Sequence, residues 1–231
     1  MSNRGKKLDT FEPDYVVFDL ETTGISPSND KIVEISAVKV KNHKVIDEFS
    51  TLVNPECHIS EGASAVNGIY DDMVKDSPVI ADVLPLFVKF IEELPLAGHN
   101  IHSFDMKYIY RDCEKYLGMI PGNDYIDTLY ISRKCLPEMA HHRLTDLAQH
   151  YGISTEGAHR ALKDCHMTQQ VYELLKNESE LVSSGAKTIP VCERCGKKMI
   201  LRNGKFGEFW GCPGYPGCNF TINVRKNKGL I

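Results

Sequence analysis

Asp19 and Glu21 stand at the end of an apolar run, Val16-Val17-Phe18, in the stretch VVFDLETTG. Residues two apart on a strand share a face, so the two carboxylates lie side by side. Burying such groups without partners costs several kcal/mol each. Asp105 follows GHNIHSF at a strand-to-helix junction, and Asp164 lies in the last long helical segment, five residues after His159. Taken singly, each carboxylate fits a turn, a cap or a solvated helix position, and His159 fits a packed or surface histidine. Taken together they repel unless cations sit between them, and hard oxygen ligands select Mg²⁺ or Mn²⁺. Two such ions about 3.5–4 Å apart can activate a water and stabilise the leaving oxygen in phosphodiester cleavage. A neutral histidine beside them can take the water's proton. Five positions turn a helix by about 140°, so His159 and Asp164 do not share a helix face. That places His159 on the loop leading into the helix.

A second constellation lies near the C-terminal end. Cys192, Cys195, Cys212 and Cys218 form C-x2-C, sixteen residues, then C-x5-C. Two cysteine pairs on tight turns can supply four thiolates in tetrahedral geometry around one structural Zn²⁺. The module of about 35 residues is too small to fold on an apolar core alone and needs a metal staple. A redox dithiol explains one C-x-x-C but leaves the second pair without a purpose. Phe206, Phe209, Trp210 and Tyr215 interleave with Lys197, Lys198, Arg202 and Lys205. Aromatic rings stack on bases of any sequence, and basic side chains add salt-dependent phosphate affinity. Some of these aromatics must instead form the module's own core, Phe209 being the first expected to do so. Lys205 and Trp210 are the substrate contacts expected here.

The elements that must position these residues follow from periodicity. DYVVFDL reads as a first strand ended by Thr22-Thr23-Gly24 and the turn cluster SPSND. KIVEISAVKVKNHKVIDEFSTLVNP reads as two strands turning near Asn42-His43. Ser77-Pro78 reads as a helix start, with Val83, Leu86, Phe87, Phe90 and Ile91 at helical spacing. LPLAGHN is a short strand and SFDMKYIYRDCEKYLG an amphipathic helix stopped by glycine. DYIDTLYISRKC gives a strand and a helix, RLTDLAQHYG another helix, and HRALKDCHMTQQVYELLKNE the last long one. A meander followed by alternating strands and helices predicts a mixed α/β sheet flanked by helices.

Charge divides the chain in the same place as the cysteines. The net charge of −4 resolves into +7 from Ala186 to Ile231 and −11 over the rest. The expected organisation is a polar tail over 1–12, a main domain over 13–178, a linker over 179–190, a four-cysteine module over 191–224 and a basic tail over 225–231. No apolar run approaches the roughly 20 residues that span a bilayer. The start, MSNRGKKLDT, lacks the apolar stretch of a signal peptide. A cytoplasmic protein with no membrane partner is expected, its cysteines thiols or metal ligands rather than disulfides.

With these residues in place, the chain resembles the DEDD 3′→5′ exonucleases in their histidine-containing branch, and more narrowly the epsilon proofreading subunit of bacterial DNA polymerase III and its relatives. FDLETTG resembles the first family motif, GHNIHSFD the second and HRALKDC the third, with the similarity running from about Asp14 to Lys176. The resemblance implies a five-stranded RNase H-like sheet. It makes Asp19, Glu21, Asp105 and Asp164 the ligands of two Mg²⁺ or Mn²⁺ ions and His159 the general base. It places Leu20, Thr22 and Thr23 around the terminal nucleotide and His99, Asn100 and Phe104 along the substrate cleft, with Asp127 in a supporting role. One departure is AVNGI, where Asn67 stands in place of a histidine that faces substrate in many relatives. His141 and His142 have no partner ligand at suitable spacing and read as structural or solvent-facing.

The cysteine module resembles the four-cysteine zinc ribbon at the C-terminus of type IA DNA topoisomerases, which implies binding to single-stranded DNA. The combined expectation is a metal-dependent 3′→5′ exonuclease that releases nucleoside monophosphates from single-stranded or frayed DNA 3′ ends, assisted by the ribbon. An exoribonuclease of the RNase T or oligoribonuclease type uses the same motifs, so RNA stays open as substrate. So do a non-catalytic nucleic-acid-binding role, a polymerase or repair complex, and the oligomeric state.

Overall fold

In a computed structural model the structure describes residues 4–183, 190–205 and 207–223. The chain builds its sheet around β1 (Tyr15–Thr22), which pairs antiparallel with β2 (Ile32–Lys41) and parallel with β4 (Leu96–Gly98). β3 (Lys44–Leu52) closes one edge and β5 (Tyr125–Asp127) the other, giving the mixed five-stranded order β3-β2-β1-β4-β5. The β2–β3 turn at Asn42-His43 is a two-residue hairpin loop, both residues at positive φ of 49° and 61°. That geometry matches the right-handed twist of the flanking strands.

Alternation along β1 sends its residues to two different cores. Val16, Phe18 and Leu20 face α3 (Ile80–Ile91) and α4 (Asp105–Leu117), where Phe18 meets Phe87 edge-on at 5.4 Å. Tyr15 and Val17 face the opposite way, onto α6 (Leu144–Tyr151) and α7 (Ala161–Ser183), beside Tyr172 and Leu175. The period of two then carries Asp19 and Glu21 onto the α7 side. On β2 the same face holds Val38 and Val40, and two-residue steps back along the strand bring Ser36 and Glu34 onto it. Both strands are buried over most of their length because helices cover both faces, as expected of central strands, and most of their few polar and acidic residues are therefore buried or half-buried with them.

Several local expectations shift. Helix α3 starts at Ile80, not at Pro78, because the Pro78 carbonyl is taken by the Asn54 amide in a strand-like contact. Pro85 sits inside that helix and Leu86 is 59% exposed, so the buried stripe runs through Val83, Leu84, Phe87 and Ile91 instead. Residues expected to form a polar N-terminal tail extend the sheet edge, with the Leu8 amide donating to the Tyr125 carbonyl at 2.7 Å. Helix α7 continues to Ser183, into the segment expected as linker. Phe206, Val224 at the end of the expected module and the expected basic tail over 225–231 lie outside the described residues. Among the described residues, no helix is long and apolar enough to cross a membrane.

The remaining elements are α1 (Glu61–Asn67), α2 (Asp71–Val74), α5 (Thr128–Cys135) and a three-stranded sheet of β6 (Ile200–Gly204), β7 (Gly207–Gly211) and β8 (Thr221–Asn223). This small sheet carries its own core of Cys192, Met199, Trp210 and Cys212. It rests on α6 and α7: Met199, Leu201 and Trp210 line a narrow gap with Tyr151, Leu174 and Glu178.

Candidate active site

Three elements deliver four carboxylates to the end of β1. Asp19 and Glu21 come from the strand itself, Asp105 is the first residue of α4, and Asp164 lies in the first turn of α7. Helix N-termini carry partial positive charge and unpaired amides, which suits acidic residues at both helix starts. Carboxylate oxygens of Asp19, Glu21 and Asp164 lie within 4.8 Å of one another. Asp105, 3% exposed, accepts the Leu20 amide at 3.2 Å, which turns it against the same strand.

The crowding shows in the proton affinities. Burial, then the charges of Asp105, Glu21 and Asp164, push the Asp19 carboxyl well above the usual range. Burial, then Asp164, raises Glu21 to about 8. Burial raises Asp105 to about 7, and also lifts Asp164. Like charges in a dry site are costly until cations compensate them. An all-oxygen donor set of this kind fits Mg²⁺ or Mn²⁺ and does not fit a soft metal.

His159 stands outside α7 on the preceding loop, as its spacing from Asp164 predicts. It is exposed, has φ of 66°, and its backbone amide donates to Asp164 Oδ2 at 3.1 Å. Beside the carboxylates, a cavity of about 420 Å³ is lined by Leu20, Glu21, Thr22, Ile25, Val66 and Phe104. The Thr22 and Thr23 hydroxyls are engaged with the protein: Thr22 Oγ1 donates to the Gly24 carbonyl at 2.6 Å and Thr23 Oγ1 to Asp30 Oδ1 at 3.2 Å. Asn67 likewise turns inward, donating to the Thr22 carbonyl at 3.3 Å.

Two of the expected cleft residues serve the scaffold. His99 Nδ1 lies 3.0 Å from Thr128 Oγ1, and burial pushes the imidazole down to about 4, so it stays neutral. Asn100, at φ of 62°, donates its amide to Asp127 Oδ1 at 3.0 Å, while the same oxygen caps α5 at Leu129. Asp127 therefore ties the turn after β4 to the start of α5. His142 Nδ1 pairs with Ser132 Oγ at 3.1 Å, a structural contact.

Sequence reading missed Glu34 and Arg160. Glu34 is the one acidic residue in the apolar strand KIVEISAVKV, a signal of the same kind as Asp19 and Glu21. Arg160 adjoins His159 and forks onto Glu34.

In the small sheet the four cysteine sulfurs cluster, with Cys192–Cys218 at 3.6 Å and Cys195–Cys212 at 3.3 Å, all four within 4.8 Å. Zn–S bonds of about 2.3 Å in a tetrahedron put sulfurs about 3.8 Å apart, so the set fits one Zn²⁺. Trp210 is 9% exposed in the module's core, so its ring is not open to a base. Phe209 instead lines an open cleft of about 310 Å³ with Arg202, Tyr215, Asn219 and Phe220. This reverses the expected division of the aromatics, because alternation along β7 sends Trp210 and Phe209 to opposite faces. Lys205 is exposed at the β6–β7 turn.

Comparison with known proteins agrees with this geometry. A family model described as exonuclease matches residues 16–172, and one described as topoisomerase DNA binding C4 zinc finger matches residues 189–227. The chain is 38% identical over 226 residues to a DNA polymerase III PolC-type of Caldanaerobacter subterraneus subsp. tengcongensis, covering 98% of this chain and 15% of that protein. It is 42% identical over 159 residues to the PolC-type polymerase of Staphylococcus epidermidis, covering 68% of this chain and 11% of the relative. The chain thus spans a small fraction of these relatives' length. Among solved structures, E. coli exonuclease I bound to single-stranded DNA shares the fold at a TM-score of 0.66 and 18% identity, over 75% of this chain and 42% of that one. Exonuclease X in complex with 5′ overhanging duplex DNA is 28% identical at a TM-score of 0.56, over 74% of this chain and 92% of the other.

Proposed function

The chain belongs to the exonuclease family whose model spans residues 16–172, and from that premise we propose that it hydrolyses DNA stepwise from 3′ ends, releasing nucleoside monophosphates. The observation that carries the reading is the convergence of Asp19, Glu21 and Asp164 within 4.8 Å, with Asp105 against the same strand. These four residues would hold two Mg²⁺ or Mn²⁺ ions. Such ions, when bound, supply a polarised water and neutralise charge on the leaving oxygen.

The protein's own groups do the rest. His159 accepts the proton of the attacking water, which its exposed place on the loop before α7 permits. The cavity lined by Leu20, Ile25, Val66 and Phe104 takes the terminal nucleoside on apolar walls. The Thr22, Thr23 and Asn67 bonds hold that wall still. The four cysteines hold a structural Zn²⁺, and the cleft of Arg202, Phe209 and Tyr215 offers stacking and phosphate contact to a single strand. The positive module then compensates for the net negative charge of the nuclease part.

DNA is favoured over RNA by the topoisomerase-type match and by exonuclease X bound to DNA. A place in proofreading is favoured by the identity to PolC-type polymerases over 98% of this chain. Both are tested with 5′-labelled DNA and RNA of equal sequence in Mg²⁺, single-stranded and with a mispaired 3′ end, against wild type and Asp164→Ala. A ladder on DNA that Asp164→Ala abolishes is expected. No ladder on either polymer sinks the enzymatic reading, and a ladder on RNA alone reassigns the substrate.

A further inference from the structure

We propose that Glu34 and Arg160 act as a positioning pair that holds His159 over the carboxylate cluster. The inference rests on the reading of His159 as the proton acceptor.

Glu34 is 4% exposed on β2, the register partner of Glu21, and it takes three donors. Arg160 Nη2 donates to Glu34 Oε1 at 3.0 Å and Arg160 Nε to Oε2 at 3.3 Å, a two-pronged guanidinium–carboxylate pair. The Ala161 amide donates to the same Oε2 at 3.2 Å. One buried carboxylate therefore grips the two residues that directly follow His159, the first by its side chain and the second by its backbone. From the other side, Asp164 Oδ2 holds the His159 amide at 3.1 Å.

The need for such a grip lies in the backbone of His159. Its φ of 66° is in the left-handed region, which a residue with a Cβ keeps only where its surroundings over-determine it. The loop before it has local turn bonds, Ala158 amide to Thr155 carbonyl at 3.1 Å and Glu156 amide to Ser154 Oγ at 3.3 Å. These bonds do not reach the sheet. Glu34 anchors the loop end to β2, the strand beside the one that carries Asp19 and Glu21.

Charge explains why this anchor is an ion pair. Glu34 would otherwise be a fifth carboxylate beside four that two divalent cations would balance. Arg160 supplies the matching charge and, with its guanidinium charged at any working pH, never releases the loop by titration. Lysine in its place keeps the charge but cannot fork.

The test is a double-mutant cycle on the full chain, reading kcat and KM on single-stranded DNA with Mg²⁺, with thermal melting of each variant. His159→Ala is expected to lower kcat about 100-fold, as loss of a general base does. Arg160→Ala should lower kcat at least about 30-fold with KM within about threefold, yet cost less than about threefold more in the His159→Ala background, as residues acting through one another do. Added guanidinium should restore part of the Arg160→Ala rate. Equal losses in both backgrounds, or no loss in the first, overturn the pair's role. Should Arg160→Ala not fold, Arg160→Lys carries the same cycle. Retention of kcat by His159→Ala itself sinks the general-base reading, a failure distinct from that of the pair.

Discussion

Glu21 of β1 and Glu34 of β2 are register partners, two carboxylates side by side on the face that α7 covers. Of the two, Glu34 is the one in an ion pair among the described residues, with Arg160 at 3.0 Å, while Glu21 feels that guanidinium only from a distance and is raised to about 8 by burial, then by Asp164. The asymmetry separates a structural ion pair from a carboxylate cluster whose repulsion divalent ions would relieve.

The cluster should therefore destabilise the metal-free protein. In chelator, Asp19→Asn or Asp164→Asn is expected to raise the melting temperature, by about 2–4 °C for each kcal/mol of repulsion removed. Mg²⁺ or Mn²⁺ should raise the wild-type melting temperature and fail to raise that of either variant. Catalysis by each variant should fall at least about 10³-fold, the several kcal/mol that metal stabilisation supplies. Calorimetry in chelator and in Mg²⁺ checks both, and a melting temperature lowered by Asp19→Asn in chelator contradicts the repulsion.

Stability should also depend on His99. Its folded value of about 4 lies below the ordinary 6.5 because burial disfavours the cation. The unfolded chain then binds more protons between these values, so stability is present above pH 6.5 and is lost as pH falls towards 4. The loss from this group is about 3 kcal/mol in all. His99→Gln should flatten that part of the acid limb relative to wild type in urea unfolding at stepped pH. Parallel limbs for the two proteins would contradict it.

Removal of zinc should unfold the small module and leave the main domain standing. Cys212→Ser, or a strong zinc chelator, is expected to abolish protection of the Leu201 and Trp210 amides in hydrogen exchange while the β1 and β2 amides stay protected. Trp210→Ala should produce a similar loss, since the indole is core, with a cost of about 3–5 kcal/mol to the module. An unaffected module in Trp210→Ala would contradict the packing.

Binding by the module should reside in its cleft. Tyr215→Ala should weaken single-strand affinity by about 1–3 kcal/mol with little change in salt dependence, as loss of one stacked base does. Arg202→Ala should reduce the salt slope by about 0.7, the single-strand value for one phosphate contact. Deleting residues from 186 onward should lower both affinity and slope while the remaining domain still degrades short oligomers. Fluorescence anisotropy at several salt concentrations reads all three, and an unchanged slope on deletion removes the module from the binding reaction.

Much of the site was legible because its chemistry is written in short segments. The period of two put Asp19 and Glu21 on one face, the five-residue spacing put His159 off the helix of Asp164, and the cysteine spacing gave the tetrahedral set. The start of α3 was misplaced because a long-range bond from Asn54 to Pro78, invisible to local signals, holds the chain extended there. Leu86 is exposed and Leu84 buried because the two, about 200° apart on the helix, flank the Val83–Phe87–Ile91 stripe on opposite sides, and only the facing sheet decides which flank it covers.

What the sequence determined by itself was the inventory: four acids, a histidine and four thiols, each in a segment with a definite period. Tertiary structure decided which of them meet and what surrounds them. Strand register set Glu34 opposite Glu21, and helix packing brought Arg160 back onto it across 126 residues of chain. Packing also buried Trp210 and left Phe209 lining the cleft, and it turned Thr22, Thr23 and Asn67 to bracing the chain around the end of β1. The physical reason is the same in each case. Local periodicity fixes the direction of a side chain, but its partner comes from a distant segment whose approach is set by the packing of the whole core.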